Sequence, residues 1–207
     1  MKKSAADGAY TSFVVHRNLL AASSSLFDRD LATALETLVY EDLGGPKAFN
    51  VYLHWLYTKD IGSCISETSD ETQMLKSLMQ CLVLGGKVES IPFQDLLMDH
   101  IIAMLHKLGR PENTVLTFLA RYVCNGNPEI KLLDRFVADF LISRCPDYNT
   151  NWKGRKVREE VDIAWARARE RKSAGGKALM PWEEDVCQYH VHLSAERPCY
   201  RDLEVAE

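Results

Sequence analysis

The 207-residue chain reads as a mostly α-helical member of the α+β class. Apolar residues recur at helical spacing along most of it: Phe49, Tyr52, Leu53 and Leu56; Ile91, Leu96, Leu97, Ile101, Ile102 and Leu105; Val115, Leu116, Leu119 and Tyr122; Leu132, Leu133, Phe136 and Phe140. Only two short stretches, residues 10–16 and 38–42, have strand character. Glycine pairs at 44–45, 85–86 and 175–176 punctuate the periodic runs.

Taken in order, residues 1–10 are small and polar and read as a flexible arm. Residues 10–16 follow as a strand, and Asn18 is placed to N-cap a helix whose apolar face carries Leu19 and Leu20. Phe27 plugs the core where that helix ends. After the second strand, Gly44-Gly45-Pro46 breaks the chain ahead of the helix that holds Phe49 to Leu56. Residues 61–65 make a turn or hairpin, and the polar loop 66–72 caps a long helix over 71–84 that Gly85 and Gly86 stop. Helices over 91–107, 113–123 and 130–143 come next, then a linker at 149–154. A charged helix over 155–172 carries Val157, Val161, Ala164, Trp165 and Ala168 on one side, and 173–207 reads as an irregular tail.

A chain of this length buries a core without disulfides. Its 25 basic and 29 acidic residues give a net charge of −4, which argues against a generic nucleic-acid binder. No apolar run approaches the roughly 18 residues of a membrane span, and no apolar signal core follows the Met-Lys-Lys start. An intracellular protein, nuclear or cytoplasmic, is expected. Cys64, Cys81, Cys124 and Cys145 sit among apolar neighbours and read as small buried thiols.

Two blocks go beyond periodicity. The first, FVVHRNLLAASSSLF at 13–27, contributes Phe13, Val15, His16, Leu19, Leu20, Ala22, Ser23 (or Ser25) and Phe27. The second, FNVYLHWLYTKDI at 49–61, contributes Trp55, Leu56 and Tyr57. In order and phrasing they resemble the BTB/POZ domain family, closest to its stand-alone fungal members. The segment 82–102 resembles the family's paired C-terminal helices. The resemblance implies a helix cluster with a small three-stranded sheet over 11–108, followed by a helical extension over 109–172. It also implies a protein-interaction module and no enzyme: an adaptor or scaffold that homodimerises, or recruits transcriptional co-regulators or the cullin of a ubiquitin ligase. Two departures stand out. The family's first strand is missing or altered, as in a shortened chain. Its apolar-x-Glu cullin motif is reduced to Ala34-Leu35-Glu36, with a small residue where a large one is expected.

The tail holds Cys187, His190, His192 and Cys199 in a C-x2-H-x-H-x6-C pattern. Thiolate and imidazole both suit zinc, and four of them can close a structural tetrahedral site. The other reading places both histidines on one face of a solvated strand edge. It is the preferred one, because the spacing matches no common finger. The second candidate is the basic stretch 153–177, with nine basic and four acidic residues. Interleaved Glu159, Glu160, Asp162 and Glu170 favour a salt-bridged, solvated helix. The alternative is a chromatin-associated regulator that uses this helix and a zinc-tied tail. No phosphate loop, nucleophile elbow or H-E-x-x-H motif is present. His54, His100 and His106 read as helical histidines without a paired nucleophile.

Overall fold

The computed structural model describes residues 11–33, 37–40, 43, 45–65, 70–108, 115, 119, 131–144, 163, 166–167, 170, 180–194 and 198–203. The arm 1–10, the Ala34-Leu35-Glu36 stretch, the linker 149–154, and most of the helices expected over 113–123 and 155–172 lie outside them. The chain divides into two compact units, Met1–Leu97 and Met98–Glu207. The described residues form helices and turns and include no strand. No helix among them is long and apolar enough to cross a membrane.

In the first unit, α1 (Arg17–Ser23) and α2 (Ser25–Thr33) are separated by Ser24 alone. The first begins one residue ahead of the expected cap, with extended His16 at its N-cap and no side-chain capping bond to the helix. Ser24 caps α2: its Oγ accepts from the Phe27 N–H at 3.0 Å, and the same hydroxyl donates to the Val88 carbonyl. Phe27 is thus carried inside a helix, 1% exposed.

Residues 11–16 and 38–40, the described parts of the two expected strands, form no ladder. They are held through side chains instead: Phe13 packs on Phe49 at 4.8 Å between ring centroids, and Tyr40 on Phe27 at 5.5 Å.

Helix α3 (Pro46–Thr58) starts as the glycine-proline break predicts, with Gly45 at φ 90° and Pro46 in the first turn. Its buried face presents Phe49, Tyr52, Trp55 and Leu56. A single helical turn, α4 (Gly62–Ile65), fills the place where a turn or hairpin is expected. Helix α5 (Glu71–Lys87) is capped by Asp70, whose carboxylate accepts from the Thr72 N–H at 2.9 Å.

Gly85 and Gly86 do not stop α5, which runs on to Lys87. The reversal comes at Val88 and Glu89, the latter at φ 54°. Gly85 serves contact, because a Cβ there would lie 2.8 Å from Gln94 Cγ and 3.2 Å from Phe93 Cδ1. Tyr52, Trp55 and Phe93 form the centre of this core, with centroids 5.0 to 5.6 Å apart. Cys81 is buried as expected, whereas Cys64 is half-exposed; Cys124 and Cys145 lie outside the described residues.

Helix α6 (Ile91–Leu108) begins in the first unit and continues into the second. There Ile101, Ile102 and Leu105 are buried, as are Val115 and Leu119. Helix α7 (Lys131–Arg144) supplies Leu133, Phe136, Val137, Phe140 and Leu141 to the core. The tail contributes to that core in short turns: α8 (Pro181–Glu184), a 3-10 turn (Val186–Tyr189), α9 (Val191–Ser194) and α10 (Tyr200–Leu203).

Candidate metal centre

Two aromatic anchors hold the tail segment. Trp182 lies between Phe136 and Phe140, at 5.5 and 5.7 Å, and its indole N–H donates to His106 Nδ1 at 3.2 Å. Tyr189, wholly buried, packs edge-on to Phe136 and donates its hydroxyl to Asp139 Oδ2 at 2.9 Å. Around the second anchor, Asp185 accepts from the Cys187 N–H at 2.8 Å, and the His190 N–H donates to the Cys187 carbonyl at 2.9 Å. These caps turn the two side chains toward one region.

The structure brings together the four residues singled out in the tail. One ligand atom from each of Cys187, His190, His192 and Cys199 lies within 4.8 Å of all the others. His190, His192 and Cys199 are buried and Cys187 is half-exposed. The solvated strand edge is therefore not what forms: His190 follows the 3-10 turn, His192 sits in α9, and their rings are 5.2 Å apart. A tetrahedral zinc ion sets such ligand atoms about 3.3 to 3.8 Å from one another, so a closure of about 1 Å at the widest pair completes the site.

The chemistry of the group fits a metal. His190 Nδ1 is buried without a hydrogen-bond partner, an expensive state for a polar atom unless a cation occupies its lone pair. Without a cation the Cys187 thiol is pushed up to about 11, first by burial and then by the neighbouring Cys199, and a bound cation would reverse this by favouring the thiolate. Two soft donors and two imidazoles are what a zinc-type ion selects.

Three residues that the motif did not include stand behind this group. Asp99, on α6, takes His190 Nε2 on Oδ1 at 2.9 Å. Its Oδ2 accepts from Arg201 Nε at 3.0 Å and from the Tyr200 hydroxyl. Burial alone would raise the Asp99 pKa, but His190, Tyr200 and Arg201 outweigh it and hold the carboxyl below its ordinary value. Nothing local in the sequence marks this role, because Asp99 stands beside His100 and one turn after Asp95 on the same helix.

In the first unit, the two family-like blocks meet. His16 Nδ1 lies 2.8 Å from the Tyr57 hydroxyl, which also accepts from the His16 N–H at 3.2 Å. Ser23 Oγ is 2.5 Å from the Tyr52 hydroxyl. Phe13 reaches Phe49, and Phe27, Trp55 and Leu56 are buried. Val15 and Leu20 are half-buried, while Leu19 and Tyr57 are 38% and 49% exposed.

In the basic stretch, Arg167 turns to Asp139, with Nη1 and Oδ2 3.2 Å apart. His54 Nε2 meets Ser63 Oγ at 3.0 Å. Comparison with protein-family models, curated proteins and solved structures found no match.

Proposed function

We propose that the chain is a protein-interaction module, a BTB/POZ-type adaptor or scaffold that pairs with itself or recruits partners, with a structural zinc ion in its second unit. The observation that carries the zinc part is the four-donor group of Cys187, His190, His192 and Cys199, whose His190 also has a buried Nδ1 without a hydrogen-bond partner. Four protein ligands fill a tetrahedron and leave no position for water or substrate, so the ion would fasten the tail and perform no catalysis.

The adaptor part rests on the resemblance of residues 13–27 and 49–61 to the family. Two observations favour it. The blocks are hydrogen-bonded to each other through His16 and Tyr57. Around that bond, His16, Leu19 and Tyr57 line an open depression with apolar surface exposed, which suits a protein partner. A cullin is one such partner, although the small residue in Ala34-Leu35-Glu36 weakens that contact. The chromatin-associated reading is less favoured, because Arg167 is engaged with Asp139.

Metal content and light-scattering mass of the purified chain test both parts. One zinc per chain is expected, lost in the double variant Cys187→Ser, His190→Ala. A dimeric mass, reduced by Leu19→Asp with Tyr57→Ala, is expected as well. A metal-free, strictly monomeric chain that retains no cullin in a pull-down overturns the proposal.

A further inference from the structure

His190 offers a metal only one of its two ring nitrogens. Nε2 faces Asp99 Oδ1 at 2.9 Å, and a carboxylate can only accept, so the ring hydrogen belongs on Nε2. That leaves Nδ1 as the lone-pair nitrogen, and it is the one buried without a partner. Asp99 itself is not a free donor to the ion. Its Oδ1 is taken by His190, and its Oδ2 by Tyr200 and Arg201.

We propose that Asp99 is the positioning residue of this centre: it holds the His190 ring with Nε2 protonated, so that Nδ1 is the ligand atom, and it ties the centre to α6. The inference rests on the zinc reading above. A carboxylate behind a ligating imidazole fixes its tautomer and orientation and raises its basicity, and loss of such a partner typically costs 10- to 100-fold in metal affinity.

Asp99 also joins parts of the chain that the four ligands alone do not. The ligands span only residues 187–199, whereas Asp99 stands 91 residues before His190. Its other partners, Tyr200 and Arg201, directly follow the ligand Cys199. Occupancy at the centre therefore orders His190 on one side of the carboxylate and the α10 turn on the other.

The test uses the full chain and zinc ion, competed against a chromophoric chelator, together with nitrogen-15 NMR of the histidine rings. The expected result is one zinc per wild-type chain, with His190 ligating through Nδ1 and keeping its hydrogen on Nε2. Asp99→Ala should then weaken zinc binding by about 10- to 100-fold. Asp99→Asn, which keeps an acceptor oxygen, should weaken it less, and Tyr200→Phe less again. The NMR measurement is made on the unmodified chain, so it stands even where Asp99→Ala does not fold. Ligation of His190 through Nε2, or unchanged affinity in both Asp99 variants, overturns the role of Asp99 and leaves the zinc reading intact. A wild-type chain that takes up no zinc overturns both.

Discussion

Gly85 lies against Gln94 so closely that a Cβ on the glycine would fall 2.8 Å from Gln94 Cγ. Glycine inside a helix ordinarily costs about 1 kcal/mol relative to alanine, so Gly85→Ala would stabilise α5 if the site were open. Here Phe93 and Gln94 are both buried, and Cγ is not the free end of its side chain. Overpacking of this kind costs about 1 to 3 kcal/mol. Gly85→Ala is expected to lower the urea midpoint, with a net loss of about 1 kcal/mol and an unchanged slope. A raised midpoint would show that α6 yields freely.

Tyr52 is wholly buried, with its hydroxyl 2.5 Å from Ser23 Oγ. Burial pushes its phenol up to about 12, while the bond to Ser23 pulls the other way. The unfolded value is about 10, so the folded state disfavours ionisation. This contribution to stability is fully present below pH 10 and is lost as pH rises through about 12. Tyrosinate absorbance should show a late step that Tyr52→Phe removes. If Tyr52→Phe removes a step near pH 10, the hydroxyl is open to water.

Cys81 is 1% exposed and its thiol is pushed up to about 12, first by burial and then by Cys64. The thiolate is the reactive form, so Cys81 should resist iodoacetamide at pH 8 in the native chain. Cys64, half-exposed, should label first. Peptide mass spectrometry reads both sites, and equal labelling would contradict the burial.

Asp139 is buried and receives both the Tyr189 hydroxyl and Arg167. Removing one partner of a buried pair typically costs about 3 to 5 kcal/mol. Because Arg167 keeps 23% exposure, Asp139→Ala should cost about 3 kcal/mol, the lower end of that range. Tyr189→Phe, which deletes one hydrogen bond, should cost about 1 to 2 kcal/mol. Urea denaturation checks both. A near-zero effect of Asp139→Ala would mean that water reaches Arg167 freely.

Helices α3 and α5 were legible where local chemistry marks an end: Pro46 behind Gly45 at one, and the polar loop 66–72, which holds the cap Asp70, at the other. Gly85 misled because a close approach to Gln94 leaves no trace near it in the sequence. The expected strands failed for a related reason. Side-chain character favours an extended chain at residues 11–16, but a strand needs a paired neighbour, and Phe49 supplied an aromatic contact instead. The four tail ligands were visible as donor types, but their convergence was not, because turns at Asp185 and after Tyr189 replace the alternation assumed for a strand. Asp99 was invisible for its distance, since nothing local links it to His190.

Ser24 caps α2 and, with the same hydroxyl, holds the Val88 carbonyl 64 residues later, while the Ser25 N–H reaches the Glu89 carbonyl. During synthesis, therefore, the first two helices emerge long before the turn that completes them. At a typical 5 to 20 residues per second, the ribosome takes roughly 3 to 13 seconds to deliver that turn. Until then the start of α2 lacks its distant anchor, and before α3 emerges Phe27 has no aromatic neighbours from that helix, so the newborn segment carries an uncovered aromatic core.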